Sequence, residues 1–231
     1  MGVGWEWEQS KWKAGRVCVA GVDEAGRGPI AGPVVAAAVV LPRDCRLPGL
    51  NDSKQLTPKE RNSLHHQIVD QALAWAVASE TSEVIDQINI LKATFRAMAS
   101  AVGLLDPQPD CLLVDGSHPI LFTFSNSVEQ IPIVKGDGKS ASIAAASILA
   151  KVARDGAMEE FDRLYPGYGF AQHKGYGTKA HLQALARMGP CPIHRKTFRP
   201  VRDMVEPAET SEHKPETGEE TLFSAQEIRW S

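Results

Sequence analysis

The chain has 231 residues, 43% hydrophobic and 23% charged, which suits one well-filled soluble domain plus extensions. No apolar run reaches bilayer-spanning length, and the Trp5-Glu6-Trp7-Glu8 start lacks a basic-then-apolar export signal; the four scattered cysteines (Cys18, Cys45, Cys111, Cys191) form no C-x-x-C pair, which argues against a disulfide framework or zinc site and for free thiols in the cytoplasm. The net charge of −3 does not exclude a nucleic-acid partner, because Asp203 to Ser231 carries −6 and residues 135–202 hold twelve Lys/Arg against five Asp/Glu; on charge alone, a solvated basic face is equally compatible.

In chain order, residues 1–15 show no clear period and read as an N-terminal extension. Residues 17–22 form an apolar strand that runs into Asp23 and Glu24, and 34–41 an alanine-rich strand closed by Pro42. Residues 43–55 read as a loop, with Pro48, Gly49, Asn51 and Asp52 as turn residues. Thr57-Pro58-Lys59-Glu60 starts a helix, with Thr57 as cap and Glu60 closing a capping box. A strand follows at 73–79, then one helix over 82–105, with Val84, Ile88, Leu91, Phe95 and Met98 at helical spacing. Short strands at 111–114 and 131–134 precede a long helix over 140–164 and a last helix over 178–188, stopped by Gly189 and Pro190. Two of the first three strands follow one another without a helix, so the pattern predicts an α/β domain with a mixed sheet and helices on its faces. Residues 16–202 are the folded domain; 203–231 are rich in Glu, Thr, Pro and Ser and read as a disordered acidic tail.

The chemistry-bearing residues sit at strand ends. Asp23 and Glu24 close the first apolar run, Asp115 follows Cys111-Leu112-Leu113-Val114, and Asp137 lies between a strand and a helix. Each alone is equally well a turn acid. Together they predict converging carboxylates, which repel one another unless divalent cations neutralise them; two ions about 4 Å apart would form a phosphoryl-transfer clamp. Successive strand residues face opposite ways, so Asp23 and Glu24 share a site only where Gly26 breaks the strand. Gly26-Arg27-Gly28 adds a cation and exposed amides beside them. Gly138-Lys139-Ser140 imitates the end of a phosphate-binding loop, but Ile133 stands where that pattern needs glycine. In the stretch from Tyr165 to Thr178, aromatics could stack on nucleotides while Lys174 meets phosphate; Phe170 and Tyr168 read as core and Tyr176 as functional.

Seven segments in order make the set recognisable: GVDEAGRGP (21–29), LNDSKQLT (50–57), INILKAT (88–94), LLVDG (112–116), VKGDGKS (134–140), AAASILAKVARD (144–155) and YGFAQHKGYGT (168–178). On these the chain resembles the bacterial ribonuclease HII family. The resemblance implies a ribonuclease H-like fold, with a five-stranded mixed sheet flanked by helices and a helical C-terminal part. It implies an endonuclease that cuts the RNA strand of RNA–DNA hybrids and cuts 5′ of single ribonucleotides in duplex DNA, leaving 3′-hydroxyl and 5′-phosphate ends. The implied metal-binding catalytic acids are Asp23, Glu24, Asp115 and Asp137, served by two Mn²⁺ or Mg²⁺ ions. The substrate contacts it implies are Gly26, Arg27 and Gly28, the junction-sensing Tyr176, and a phosphate-contacting pair, Ser53 and Lys54. The related ribonuclease HIII type carries a sizeable N-terminal domain and lacks this arginine turn, so fifteen leading residues fit it poorly. The expected partners are RNA–DNA hybrid and ribonucleotide-containing DNA, with no membrane, a monomeric state, and a replication-clamp contact through Leu222-Phe223 or Ile228-Trp230 in the tail. A non-catalytic binding module, or another nuclease of the same superfold, is the alternative.

Overall fold

The run Val34-Val35-Ala36-Ala37-Ala38-Val39-Val40 is buried at every position, as a strand with both faces covered must be. It is one of five strands: β1 (Val19–Ala25), β2 (Val34–Val40), β3 (Ala74–Glu80), β4 (Cys111–Asp115) and β5 (Glu129–Ile133). They form one sheet in the order β3-β2-β1-β4-β5. β1 pairs antiparallel with β2 and parallel with β4, so the sheet is mixed about its central strand. The computed structural model describes residues 3–122 and 128–205; the tail segments expected to touch a clamp lie outside them.

The helices are α1 (Glu6–Lys13), α2 (Pro58–Gln71), α3 (Ser82–Ile88), α4 (Ile90–Gly103), α5 (Ala141–Leu164), α6 (Phe170–His173), α7 (Lys179–Met188) and α8 (Val201–Val205). Strand alternation divides the core in two. Ala20, Val22, Ala38 and Val40 meet Phe95, Met98 and Val102 of α4. Ala37 and Val39 meet Leu64 and Ile68 of α2 and Ala145, Ile148 and Leu149 of α5. Alanine in the strands and in the first turns of α5 lets the layers approach closely. Gly21 carries this furthest: a Cβ there would overlap the backbone of Ser142 and Ile143, so α5 lies directly against β1. A third cluster, with Ala31, Met158, Tyr168, Phe170 and Ile193, holds the C-terminal part.

The Thr57–Glu60 capping box is present in full. Two sequence expectations change. The helix over 82–105 is two helices, because Asn89 adopts φ 67° and ends α3, and its side chain accepts the Leu91 and Lys92 amides to begin α4; Asn tolerates positive φ better than most residues. The leading residues are not without structure: α1 is tied down by Glu8, which is fully buried. Glu8 Oε1 accepts from Ser140 Oγ at 2.6 Å and from the Ser142 amide at 2.8 Å, at the start of α5. A carboxylate at a helix N-terminus satisfies free amides and complements the dipole.

Candidate active site

The parallel pairing of β1 and β4 stops at Val22 opposite Val114. The next residue on each strand is an acid, Asp23 and Asp115. Beyond that point β1 continues only against β2, with Glu24 opposite Ala36. The acids therefore stand at the carboxyl ends of adjacent parallel strands, where open α/β sheets place functional groups. One oxygen each from Asp23, Glu24 and Asp115 lie within 4.8 Å of one another. Asp23 is only 3% exposed. Burial, with the neighbouring Glu24 and Asp115 carboxylates, holds its carboxyl well above the usual range. Burial also raises Glu24, against the opposing Arg27 guanidinium, and Asp115, against the amide it accepts from Gly136 at 2.7 Å. Three desolvated carboxylates with free lone pairs form a hard, all-oxygen donor set, which fits a divalent cation of the Mg²⁺ or Mn²⁺ type.

Asp137, in a 3-10 turn over Gly136–Gly138, stands outside that group of three. It is buried, and its Oδ2 accepts from Lys54 Nζ at 2.9 Å. Although burial opposes it, this bond and the Asp137 charge hold the Lys54 pKa above its ordinary value. The ammonium read in sequence as a phosphate contact thus sits on the fourth acid.

Two other expected contacts are turned inward. Ser53 is buried, its hydroxyl 2.7 Å from Ser147 Oγ of α5, so it anchors its loop instead of presenting a hydroxyl outward. Lys174 points back to α5, with Nζ 2.7 Å from Glu159 and 3.3 Å from the Asp155 carbonyl, and that pairing takes its charge from the surface. Phe170 and Tyr168 are core, stacked 5.2 Å apart. His194 is buried as well and bonds to His181 at 3.1 Å, its pKa pushed down to about 4 by burial and then by His181; it is a core histidine.

The turn after β1 adjoins the acids. Arg27 and Gly28 are exposed, and Arg27 donates to Glu24 at 3.2 Å. Tyr176 is 49% exposed, and a Cβ on Gly28 would lie 3.7 Å from its ring. Beneath the turn lie two buried arginines that the sequence did not single out, Arg154 and Arg195. A lone arginine in an alanine-rich helix, or after Ile193-His194, carries no local mark of burial. A cleft of about 590 Å³ opens between Asp86 and Cys191, but none of the four acids lines it. Among the described residues no helix is long and apolar enough to cross a membrane.

The comparisons with known proteins agree with this geometry. A family model described as Ribonuclease HII matches residues 20–201. The ribonuclease HII of Geobacter sulfurreducens is 55% identical over 199 residues, 86% of this chain and 90% of that protein. The solved ribonuclease H2 from Pyrococcus horikoshii OT3 has a TM-score of 0.69 at 30% identity, over 81% of this chain and 97% of that one. A chain of the PCNA:RNase HII complex from Archaeoglobus fulgidus has a TM-score of 0.66 at 26% identity, over 79% and 96%. The sheet, the acids at its edge and a match through most of the chain lead to one conclusion: this chain belongs to the ribonuclease HII family, metal-dependent endonucleases with ribonuclease H activity on RNA–DNA.

Proposed function

We propose that the chain cuts 5′ of single ribonucleotides embedded in duplex DNA, as well as the RNA strand of hybrids, and leaves 3′-hydroxyl and 5′-phosphate ends. The observation that carries this reading is the contact between acids and turn: Arg27 bonds to Glu24, and Gly28 lies beside Tyr176. The groups that would cut and the groups that would recognise are thus neighbours.

Asp23, Glu24 and Asp115 would hold the metal, with Asp137 as a fourth ligand once Lys54 yields. Two bound Mg²⁺ or Mn²⁺ ions would supply an activated water and stabilise the leaving 3′ oxygen. The chain's own residues do the rest. Asp23 is held at the strand end by its buried setting and by the Glu24 amide, which it accepts at 2.7 Å. Asp115 is oriented by the Gly136 amide. The exposed backbone of Arg27 and Gly28 offers donors and close approach to a 2′-hydroxyl, the group that distinguishes RNA from DNA. The Tyr176 ring would pack on the following sugar, where a second 2′-hydroxyl fits poorly. An RNA-to-DNA junction is then the favoured site. The cytoplasmic setting, the monomeric state and a clamp contact through the tail belong to the same reading; the archaeal relative's complex with PCNA supports the last.

The test is cleavage of a duplex with one ribonucleotide, with and without Mg²⁺ or Mn²⁺, beside the all-DNA duplex. The expected result is metal-dependent cutting 5′ of the ribonucleotide and none of the all-DNA control. Asp23→Asn should lower the rate by at least about 100-fold, as loss of a central group commonly does. Full activity in that variant would sink the assignment of the acids.

A further inference from the structure

Arg195 is fully buried, and no carboxylate bonds to it among the described residues. Its guanidinium donates instead to a cage of backbone carbonyls: Gly26, Arg27 at 2.9 Å, Gly32 at 3.0 and 2.9 Å, and Pro33 at 3.2 Å. Arg154 completes the floor, donating to Ala31 at 3.3 Å, Pro33 at 3.1 Å and Lys174 at 3.0 Å. A buried cation is costly unless fully hydrogen-bonded, and the planar five-donor guanidinium is the side chain able to hold several carbonyls at once.

The consequence lies on the other side of the peptide planes. In a trans peptide the C=O and the following N–H point in opposite directions. The bonds from Gly26 to Gly28 are trans, since the cis bonds of the described chain precede Pro107 and Pro200. With the Gly26 and Arg27 carbonyls drawn down onto Arg195, the amides of Arg27 and Gly28 must face up and out. Among the described residues, neither amide donates to another backbone group. Gly26 is required for this arrangement, with φ +97° and with Arg154 occupying the space a Cβ would take. The segment that carries Arg195 is itself fixed to the loop after the turn: the Gly32 amide donates to Ile193 and the Arg195 amide to Ile30, at 2.8 and 2.9 Å. The same region steadies Tyr176, whose carbonyl lies 2.9 Å from His181 Nδ1, while His181 Nε2 meets His194 Nε2 at 3.1 Å.

We propose that Arg195 is a positioning residue for ribonucleotide recognition: by holding the carbonyls of Gly26 and Arg27 inward it presents the Arg27 and Gly28 amides as a pair of outward donors. This rests on the reading of the turn as the sensor of the 2′-hydroxyl, and it adds the residue that shapes the sensor. Lysine at the same place keeps the charge, but its three donors radiate from one compact ammonium and are too few for the four carbonyls that Arg195 holds.

The experiment measures equilibrium binding by fluorescence anisotropy, in EDTA, to a duplex with one ribonucleotide and to the identical all-DNA duplex. The wild-type protein should prefer the first by about tenfold, the worth of one or two hydrogen bonds. Arg195→Lys should reduce that preference to within about twofold and leave affinity for the all-DNA duplex unchanged. If the wild type shows no preference, the reading of the turn fails. A wild-type preference that Arg195→Lys retains overturns the positioning role. So does an equal loss of affinity for both duplexes, which would mark Arg195 as a general structural residue. Should Arg195→Lys fail to fold by circular dichroism, the decisive measurement is NMR on the wild type. The Arg27 and Gly28 amide signals should shift on adding the ribonucleotide duplex and not on adding its all-DNA twin; unmoved signals overturn the proposal.

Discussion

Asp23 shows what a carboxylate proposed to hold metal costs its own fold. Its pKa is raised because burial and two neighbouring acids penalise the ionised form. A group whose folded pKa lies above its unfolded value contributes stability that is present below the unfolded value and lost as pH rises through the folded one. Above the unfolded value, near neutral pH included, this buried carboxyl is therefore a liability without metal. Asp23→Asn should raise Tm by several degrees in EDTA at pH 7, and the gain should shrink toward pH 4. A divalent ion should raise the wild-type Tm and leave that of the variant nearly unchanged; a thermal melt in each buffer checks both. The acids were legible in the sequence because each comes at or just after the end of an apolar run and near a glycine turn, a local pattern. The partners of Lys54, Ser53 and Lys174 were not, because each is paired across many residues, as in the 83-residue separation of Lys54 and Asp137. A loop lysine looks the same in sequence whether it meets solvent, phosphate or a buried acid.

The elements followed their periodicity where it was strong. α5 opens with a Ser140 cap and ten consecutive small or apolar residues that are all buried, and α2 carries its capping box, so both were readable. α1 was not, because its eight residues have too little apolar pattern to betray a buried face. Glu8 ties α1 to α5 by satisfying the Ser142 amide and the Ser140 hydroxyl, while Lys11 bonds to Glu129 of β5 and Trp12 packs on the core. It lies before residue 20, where the family match begins. Glu8→Ala should lower unfolding free energy by about 2 kcal/mol, the usual penalty for stranding buried donors at a helix start. The drop should appear as a lower urea midpoint with an unchanged m-value; a midpoint within error of wild type would show that α1 leaves α5 unsupported.

At the scale of the molecule, charge is distributed against itself. The sequence from Glu206 onward holds seven acids and two bases, so a chain ending at Val205 would carry +2 instead of −3. Truncation after Val205 should tighten binding to any duplex several-fold at about 50 mM salt, with the gain fading above about 200 mM as counterions screen it. Anisotropy titrations at the two ionic strengths would show it; a gain that persists at high salt would point to a contact instead of a field. The basic excess of residues 135–202 was countable in the sequence, but its use was not, because Arg154 and Arg195 spend their charges inside.

The bond between Arg195 and Gly26 joins residues 169 positions apart. A ribosome making this chain releases all four acids by residue 137, well before the guanidinium that shapes the turn beside them. On the proposed reading, synthesis delivers the blade before the safety catch. On the same reading, a product cut short between residues 137 and 195 would possess every carboxylate and lack the guanidinium that holds the Gly26 and Arg27 carbonyls inward.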